Sequence, residues 1–315
     1  MILHTSQIPD APAEAAEDGH PDALRSFEDA RRSLFGIAYR MLGSVREAED
    51  ILQDAYIRWH GVDHAEVRNP PAYLARLVTH LSINALKAAH RRRVDYVGPW
   101  LPEPLLGDAA VVQPDAAEMR ELADELSTAF LLLLERLTPV ERAIFVLRES
   151  FDFPYSEIAG IVGKTEANCR QIERRARAHL AGESRARPAD PAEHDRLLAS
   201  FLAATRDGDV SGLVSLLAHD AVAYTDSGGK VPSARNPIHG PMSIARFFTG
   251  LVRKAAERGE AWEVRLAHLN GATGILNFVN GKLASVMNIH VEDGLIRNVF
   301  TTTNPDKLPR LDEQP

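Results

Sequence analysis

Cationic side chains suited to binding nucleic acid are concentrated near the ends of two predicted helices, at 90–93 and 174–177. Lysine and arginine neutralise phosphates, and an arginine can also make a paired hydrogen bond to a guanine edge. The whole chain of 315 residues nevertheless carries a net charge of −8, so the positive charge is local. The sequence therefore predicts two separate nucleic-acid-binding faces.

The second of these helices closes a predicted helix-turn-helix. Thr138 and Glu141 form a capping box around Pro139, which favours a helix start, and a further helix is expected from Tyr155. Thr165 caps the third helix, whose apolar residues recur every three or four positions. These buried positions are Cys169, Ile172, Ala176 and Leu180. The opposite face is expected to read the major groove of DNA and consists of Thr165, Glu166, Asn168, Arg170, Gln171, Arg174 and Arg175.

An earlier helix, capped by Asn69 and reaching about Arg93, is predicted to bind a single strand. Its apolar side is expected to contain Leu74, Leu77, Val78, Leu81, Ala85 and Ala88. We call its other face the basic stripe: Asn69, Tyr73, Arg76, His80, Asn84, Lys87, Arg91, Arg92 and Arg93. Unpaired bases stack on aromatic rings or guanidinium planes, while cations follow the phosphates. The alternative for such a stripe is an ordinary solvated surface.

A helix opening at the capping box of Ser44 and Glu47 carries acidic residues on its exposed side. Its buried side is predicted to be Ala48, Leu52, Ala55, Tyr56 and Trp59. We call the exposed side the acidic face: Glu47, Asp50, Gln53, Asp54 and Ile57. Because carboxylates repel phosphate, this face is expected to bind a basic protein partner.

In this order and spacing, the segments 49–59, 73–76 and 137–142, followed by the helix-turn-helix, resemble the extracytoplasmic-function sigma factors of bacterial RNA polymerase. The resemblance runs from about Leu24 to Glu183. It implies that the acidic face docks on the clamp of core RNA polymerase, that the basic stripe reads and opens the −10 promoter element, and that 165–180 reads the −35 element. RNA synthesis belongs to the polymerase, so this resemblance implies a cytoplasmic protein without catalytic residues, cofactor or metal.

The segment boundaries follow from charge and proline content. We expect a disordered acidic tail at 1–23, sigma region 2 at 24–95, an acidic linker at 96–118, region 4 at 119–183, a connector at 184–192, a C-terminal domain at 193–310 and a short tail at 311–315. No apolar run approaches the roughly 20 residues that span a bilayer, so no membrane partner is expected. The stretch 1–23 has five acids and no lysine or arginine, which excludes a secretory signal. With Cys169 as the only cysteine, an intramolecular disulfide is excluded.

The C-terminal third is predicted to combine helices with a sheet. Helices are expected at 193–205, 209–217 and 241–258, and strands at 262–266, 273–279, 283–291 and 295–303. Asn-Gly and Asp-Gly pairs between the strands favour tight hairpin turns, so the strands are expected to form an antiparallel meander. This pattern resembles the SnoaL-like, ketosteroid-isomerase-like α+β cone. The predicted fold is therefore two all-α sigma domains joined to an α+β domain.

A sigma factor with this extension resembles the subgroup in which a SnoaL-like domain replaces a separate anti-sigma protein. The resemblance implies a regulatory interface made by three motifs. These are Trp100, Leu101 and Pro102 in the linker, Asp226, Gly228, Gly229 and Lys230 in the cone, and Asn304, Pro305 and Asp306 near the end. We expect the extension to pack on the linker and to modulate the availability of the two DNA-binding units. The factor is expected to act as a monomer on the polymerase.

Three alternatives remain open at the level of sequence. The cone could be an isomerase or cyclase, for which Asp226, His239 and His290 are candidates by residue type. It could instead bind a small ligand as a regulatory signal. Finally, the chain could be an ordinary helix-turn-helix regulator, which would leave the acidic face and the basic stripe without a function.

Overall fold

A computed structural model describes residues 21–93, 96–107, 126–180 and 190–308. Most of the predicted N-terminal tail, the second half of the linker, the start of region 4, the connector up to residue 189 and the final tail lie outside these ranges. Within the described ranges, no helix combines the length and the apolar character needed to cross a bilayer.

Seven helices are described between residues 21 and 180. They are α1 (Pro21–Leu42), α2 (Val45–His60), α3 (Pro70–Arg93), α4 (Thr128–Leu134), α5 (Pro139–Glu149), α6 (Tyr155–Val162) and α7 (Glu166–Leu180), with a short 3-10 turn at His64–Glu66. We call α1 to α3 the N-terminal helical unit and α4 to α7 the helix-turn-helix unit.

The helix starts follow the predicted caps. The Ser44 side chain accepts a hydrogen bond from the backbone of Glu47, and Thr138 and Glu141 make the reciprocal capping box. The Oγ1 of Thr165 accepts from the backbone of Asn168 at 3.3 Å. Helix α6 ends at Gly163, which has a left-handed φ of 66° that a glycine adopts without strain.

The two helical units share one hydrophobic core. Buried side chains run without interruption from α1 through α7, and Leu105 of the linker joins them. Helix α5 packs against α1 and α3, and α6 also packs against α3. We call this direct packing of the two units the closed arrangement.

Helix α3 is buried over a wider arc than its apolar pattern predicts. Leu74, Val78 and Leu81 are buried as expected, but Ala88 is exposed and Thr79 is fully buried. Further buried positions are Ala75, Ser82, Ile83, Leu86 and Ala89. The reason is that α3 contacts α1 and α2 on one side and the helix-turn-helix unit on another, which a single-helix pattern cannot show.

The C-terminal domain places three helices on one six-stranded sheet. The elements are α8 (Pro191–Asp207), α9 (Val210–Leu216), β1 (Leu217–Asp226), β2 (Ile238–His239), α10 (Pro241–Glu257), β3 (Trp262–Leu269), β4 (Ala272–Val279), β5 (Lys282–Glu292) and β6 (Leu295–Thr302). The strand order is β2-β1-β6-β5-β4-β3. Strands β3 to β6 form the predicted antiparallel meander.

Strand β1 was not predicted, and it pairs parallel to β6. It directly follows α9 without a turn residue, so its apolar positions continue the helical pattern and conceal the change of period. One face of the sheet packs on α8 to α10 around Phe201 and Phe248. The other face carries Leu276 and Phe278, and Leu106 of the linker packs against it. The predicted fold class, two all-α units joined to an α+β domain, is confirmed.

Candidate functional site

The outward face of α7 is exposed except at Glu166 in its first turn. Thr165, Asn168, Gln171, Arg174 and Arg175 are exposed, and Glu166 is half-buried. Arg170 is also exposed, pairs with Glu166 at 2.8 Å and lies over the ring of Tyr155 with its guanidinium carbon 5.0 Å from the centroid. The opposite side buries Cys169, Ile172, Ala176 and Leu180 as predicted.

Glu173 on the same helix is buried, which the helical pattern did not predict. It accepts from the Nε of Arg177 at 2.8 Å, and the Tyr155 hydroxyl donates to its other oxygen at 3.4 Å. Burial, followed by the charge of Glu173, raises the pKa of Tyr155. These contacts fix α7 against α6, so the exposed arginines project from a rigid support.

The basic stripe is exposed along the middle of α3. Arg76, His80, Asn84 and Lys87 are exposed, whereas the side chains of Arg91, Arg92 and Arg93 lie outside the described part of the structure. Asn69 caps α3 by accepting from the backbone of Ala72 at 3.2 Å.

Two side chains of the basic stripe are in contact with other parts of the protein. Tyr73 is half-buried because its ring packs on Trp59, with the centroids 5.5 Å apart. The Nε2 of His80 makes a hydrogen bond to the carbonyl of Ile161 in α6. In the closed arrangement, the helix-turn-helix unit therefore touches the stripe at its centre.

The acidic face lies on α2 as predicted. Asp50, Gln53, Asp54 and Ile57 are exposed, with Ile57 retaining 62% of its accessible surface, while Glu47 is half-buried. Tyr56 was predicted to be buried but is exposed, with its ring edge-on to Phe27 at 5.1 Å. The face thus presents three carboxyl and amide groups around one uncovered apolar side chain.

The linker motif and the cone motif meet at the carboxylate of Asp226, which is 0% exposed. Its Oδ2 accepts from the backbone of Leu101 at 2.8 Å and from the Nζ of Lys307 at 2.7 Å. Its Oδ1 accepts from the Tyr96 hydroxyl at 2.5 Å and from the backbone of Gly228 at 3.1 Å. Both oxygens are therefore occupied, and burial, followed by the hydrogen bond to Asp226, raises the pKa of Tyr96.

Lys307, which belongs to the C-terminal motif at 304–308, completes this contact. Its Nζ also donates to the Leu101 carbonyl at 2.7 Å and lies 4.3 Å from the centre of the Trp100 ring. Trp100 in turn packs on the turn between α1 and α2, where a Cβ added to Gly43 would lie 2.7 Å from the ring.

The glycine-rich loop is shaped by the same contact. Gly228 and Gly229 have φ values of 56° and 74°, and an added Cβ would lie 2.6 Å from the Nδ2 of Asn304 and 3.0 Å from the Cβ of Val97 respectively. The Nδ2 of Asn304 donates to the Tyr96 hydroxyl at 2.9 Å. Lys230 and Asp306 form an exposed ion pair at the rim, and Pro305 is exposed. We call the set Tyr96, Trp100, Leu101, Asp226 and Lys307 the linker contact.

Glu103 attaches the other end of the linker motif to the N-terminal helical unit. Its carboxylate accepts from the Ser44 hydroxyl at 2.8 Å and from the backbone of Arg46 at 3.3 Å. A carboxylate at a helix N-terminus is stabilised by the unsatisfied amides there. The linker is therefore held to α2 and to the C-terminal domain at the same time.

Asn270 is a residue that sequence analysis recognised only as part of a turn. Its side chain is 4% exposed and reaches the Tyr39 hydroxyl at 2.7 Å and the Leu126 carbonyl at 3.0 Å through its Nδ2. Its Oδ1 accepts from the backbone of Leu105 at 3.1 Å. One turn of the C-terminal domain thus contacts both helical units and the linker.

The candidates for enzymatic chemistry are separated. Asp226 is fully engaged in the linker contact, His239 is exposed on β2, and His290 lies on β5. Burial, followed by the charge of Arg297, lowers the pKa of His290. Among the described residues, no cluster of histidine, cysteine and carboxylate side chains could hold a metal ion.

Comparison with known proteins covers nearly the whole chain. Residues 27–92 match the sigma-70 region 2 family and residues 127–180 match the sigma-70 region 4 family. The chain is 35% identical over 90% of its length, and 93% of the relative, to the ECF RNA polymerase sigma factor SigJ of Mycobacterium tuberculosis. It is 28% identical over 93% of its length, and 97% of the relative, to the probable ECF RNA polymerase sigma factor SigI of the same species.

The crystal structure of Mycobacterium tuberculosis SigJ superposes with a TM-score of 0.71 at 32% identity, covering 90% of this chain and 97% of that one. The similarity therefore extends through both helical units and the C-terminal domain. With two matched sigma regions in their expected order and a relative aligned over nine tenths of its length, the chain belongs to the extracytoplasmic-function family of RNA polymerase sigma factors.

Proposed function

We propose that this protein binds core RNA polymerase, recognises the −35 and −10 elements of a promoter and promotes strand opening, while its own C-terminal domain modulates that activity. The observation that carries the proposal is the pair of exposed cationic faces on α3 and α7, placed on units that match sigma regions 2 and 4. The protein acts in the bacterial cytoplasm, as one copy per polymerase.

Region 4 reads the −35 element through α7. Arg174 and Arg175 are exposed and available for phosphate or guanine contacts, while Gln171 can pair with adenine. The remaining members of this face lie at the cap and in the first turns of α7; they are Thr165, Glu166, Asn168 and Arg170. The buried contacts of Glu173 hold the helix rigid, which lowers the entropic cost of docking in the groove.

Region 2 opens the −10 element and docks on the polymerase with different surfaces. Arg76, Asn84 and Lys87 follow the single strand, and the arginines at 91–93 extend the stripe. Each captured base contributes about 1–3 kcal/mol, which offsets the cost of unpairing. The acidic face of α2 binds a basic surface of the polymerase, with Ile57 as its apolar centre.

The closed arrangement is not the one that binds both promoter elements. Sites named −10 and −35 are centred about 25 base pairs apart, which is about 85 Å along the DNA axis. Helix α3 has 24 residues and is about 36 Å long, and the helix-turn-helix unit touches it directly. Region 4 must therefore move away from region 2 when the promoter is bound.

The C-terminal domain modulates activity by holding the linker between the two regions. The linker contact and the cap by Glu103 tie residues 96–107 to the cone and to α2. We assign no catalytic chemistry to the chain, because the carboxylate best placed by type, Asp226, already accepts four hydrogen bonds.

Polymerase binding tests the proposal through the acidic face. Full-length protein carrying Asp54→Lys or Ile57→Lys is titrated into core RNA polymerase, with Glu257→Lys on the exposed side of α10 as a matched charge reversal. We expect tight binding of the wild type and the control, and at least tenfold weaker binding of the two α2 variants. Equal binding of all four proteins, or binding of none, would contradict the proposal.

A further inference from the structure

The turn between β3 and β4 penetrates the junction of all three parts of the molecule. Leu269 pairs with Leu106 of the linker in an antiparallel bridge, the backbone of Asn270 donates to the Leu105 carbonyl at 3.0 Å, and that of Gly107 donates to the His268 carbonyl at 3.0 Å. Linker residues 105–107 therefore pair with residues 268–270, at the end of β3 and the start of the turn.

The side chain of Asn270 then connects the turn to both helical units. It donates to Tyr39 in α1 of region 2 and to the carbonyl of Leu126, directly before the matched region 4 segment. A short amide with two donors and one acceptor is required here, because its partners are a hydroxyl, a carbonyl and a backbone N–H.

On region 2, the hydroxyl of Tyr39 accepts the hydrogen bond from Asn270. Tyr39 is 0% exposed, and its hydroxyl donates to the Glu103 carbonyl at 2.8 Å while accepting from Asn270. Burial raises the pKa of Tyr39 above its ordinary value, so the hydroxyl keeps its proton as a donor. Removing either partner leaves a polar group buried without its hydrogen bond.

The same turn chemistry occurs twice more in the sheet without these contacts. Asn270, Asn280 and Asp293 all precede glycine and have φ values of 50°, 51° and 51°. Turn geometry alone is therefore satisfied by asparagine or aspartate. The Oδ1 of Asn280 accepts from the backbone of Ala261 at 3.1 Å, a hydrogen bond that stays within the C-terminal domain. Asn270 differs because its Nδ2 donates hydrogen bonds to Tyr39 of region 2 and to the Leu126 carbonyl beside region 4.

We propose that Asn270 is a positioning residue that holds region 2, the linker and region 4 together in the closed arrangement and thereby opposes engagement of the polymerase and promoter. This inference rests on the proposed function for its consequence, but its structural part concerns the free protein alone. If only the open state binds polymerase productively, weakening the closed state raises the apparent affinity in proportion to the open fraction.

The closed arrangement is measured by energy transfer between dyes on region 2 and region 4 of the full-length chain. Cysteines are introduced at the exposed positions Asp29 and Ala178, while native Cys169 is 0% exposed and stays unlabelled. The test variants are Asn270→Asp, which removes both donors, and Tyr39→Phe, which removes the hydroxyl but keeps the ring. The control is Asn280→Asp, which makes the same change in an equivalent turn.

We expect Asn270→Asp and Tyr39→Phe each to increase the open fraction about fivefold to tenfold, the factor that corresponds to losing a buried hydrogen bond. The double variant should resemble the stronger single variant, since both act through one contact. Asn280→Asp should match the wild type. Apparent affinity for core RNA polymerase should rise by the same factor.

Unchanged energy transfer in both test variants, or an effect equal to that of Asn280→Asp, would overturn the inference. A fall in polymerase affinity on opening would overturn it as well, because the contact would then support the active state. Thermal unfolding of each variant, followed by circular dichroism, identifies a variant that fails to fold. If Asn270→Asp fails to fold, the energy transfer measured in Tyr39→Phe tests the inference. If wild-type protein does not bind core polymerase, the proposed function fails, while energy transfer still tests the contact.

Discussion

The Nε of Arg142 in α5 donates to the backbone carbonyl of Arg40 in α1 at 3.0 Å. Arg142 is almost fully buried and its guanidinium also pairs with Glu135 at 2.6 Å, so the arginine joins region 4 to region 2 from inside their common core. Arg40 in turn lies over the ring of Phe151, 5.1 Å from its centre. The interface of the closed arrangement is thus partly polar, which is typical of contacts between domains.

Replacing Arg142 by methionine should weaken this interface. The Arg40 carbonyl and the Glu135 carboxylate would lose a partner, while the aliphatic volume is largely kept, so the free energy of unfolding should fall by about 2 kcal/mol. Denaturant titration of the full-length protein measures the change. Arg174→Met, at an exposed position of the same unit, should change it by less than about 0.5 kcal/mol. Equal effects of the two variants would contradict the role of Arg142.

Asp226→Asn should have a larger effect than the same change at Asp306. Neutralising Asp226 leaves the buried ammonium of Lys307 without its carboxylate, at a cost of about 3 kcal/mol. Asp306 pairs with Lys230 at the exposed rim, where such pairs contribute about 0–1 kcal/mol. Unfolding in denaturant, followed by the protein's tryptophan fluorescence, measures both losses. Similar losses at the two positions would show that the linker contact is not the anchor described here.

The arginines of α7 should account for part of the salt dependence of promoter binding. Arg174→Ala and Arg175→Ala are each expected to weaken binding of a −35 duplex and, where the arginine contacts a phosphate, to reduce the slope of log K against log salt by about 1. Arg206→Ala, an exposed arginine of the C-terminal domain, serves as the control. A slope unchanged in both α7 variants but changed in the control would place the DNA elsewhere.

The C-terminal domain should become less stable in mild acid because of His290. Its pKa in the folded protein is lowered by burial, then by Arg297, so the unfolded chain binds the proton more tightly. The stability associated with neutral His290 is therefore complete above the unfolded pKa of about 6.5 and is lost as the pH falls through the folded value. Denaturation of wild type and His290→Gln at pH 8 and pH 5.5 measures the difference. A larger loss of stability in the variant than in the wild type would refute this assignment.

The elements with strong local signals were predictable from sequence. The caps at Ser44, Thr138 and Thr165, the buried stripe of α7 and the glycine turns of the sheet all have a local physical cause, and the structure reproduces them. Strand β1 was missed because its position beside β6 depends on a parallel, long-range pairing.

The functional residues also divide into those predictable from local sequence and those that depend on long-range contacts. Exposure of Arg174 and Arg175 follows from helical periodicity, and Asp226 was singled out by its motif. The individual contacts of Lys307 and Asn270 were not predicted, because their partners lie about 80 to 230 positions away in the chain. Tyr73 is more covered than its place on the basic stripe predicts, since the Trp59 ring that packs on it comes from another helix.

Transcription in a purified system tests the central claim most directly. Core bacterial RNA polymerase is combined with the full-length protein and with genomic promoter fragments, and transcript starts are mapped together with the reactivity of unpaired bases. The account predicts discrete starts that require the added protein, strand opening near −10, and loss of both in a variant combining Arg174→Ala with Arg175→Ala. Failure of the protein to join the core enzyme, or starts that are the same without it, would contradict the account.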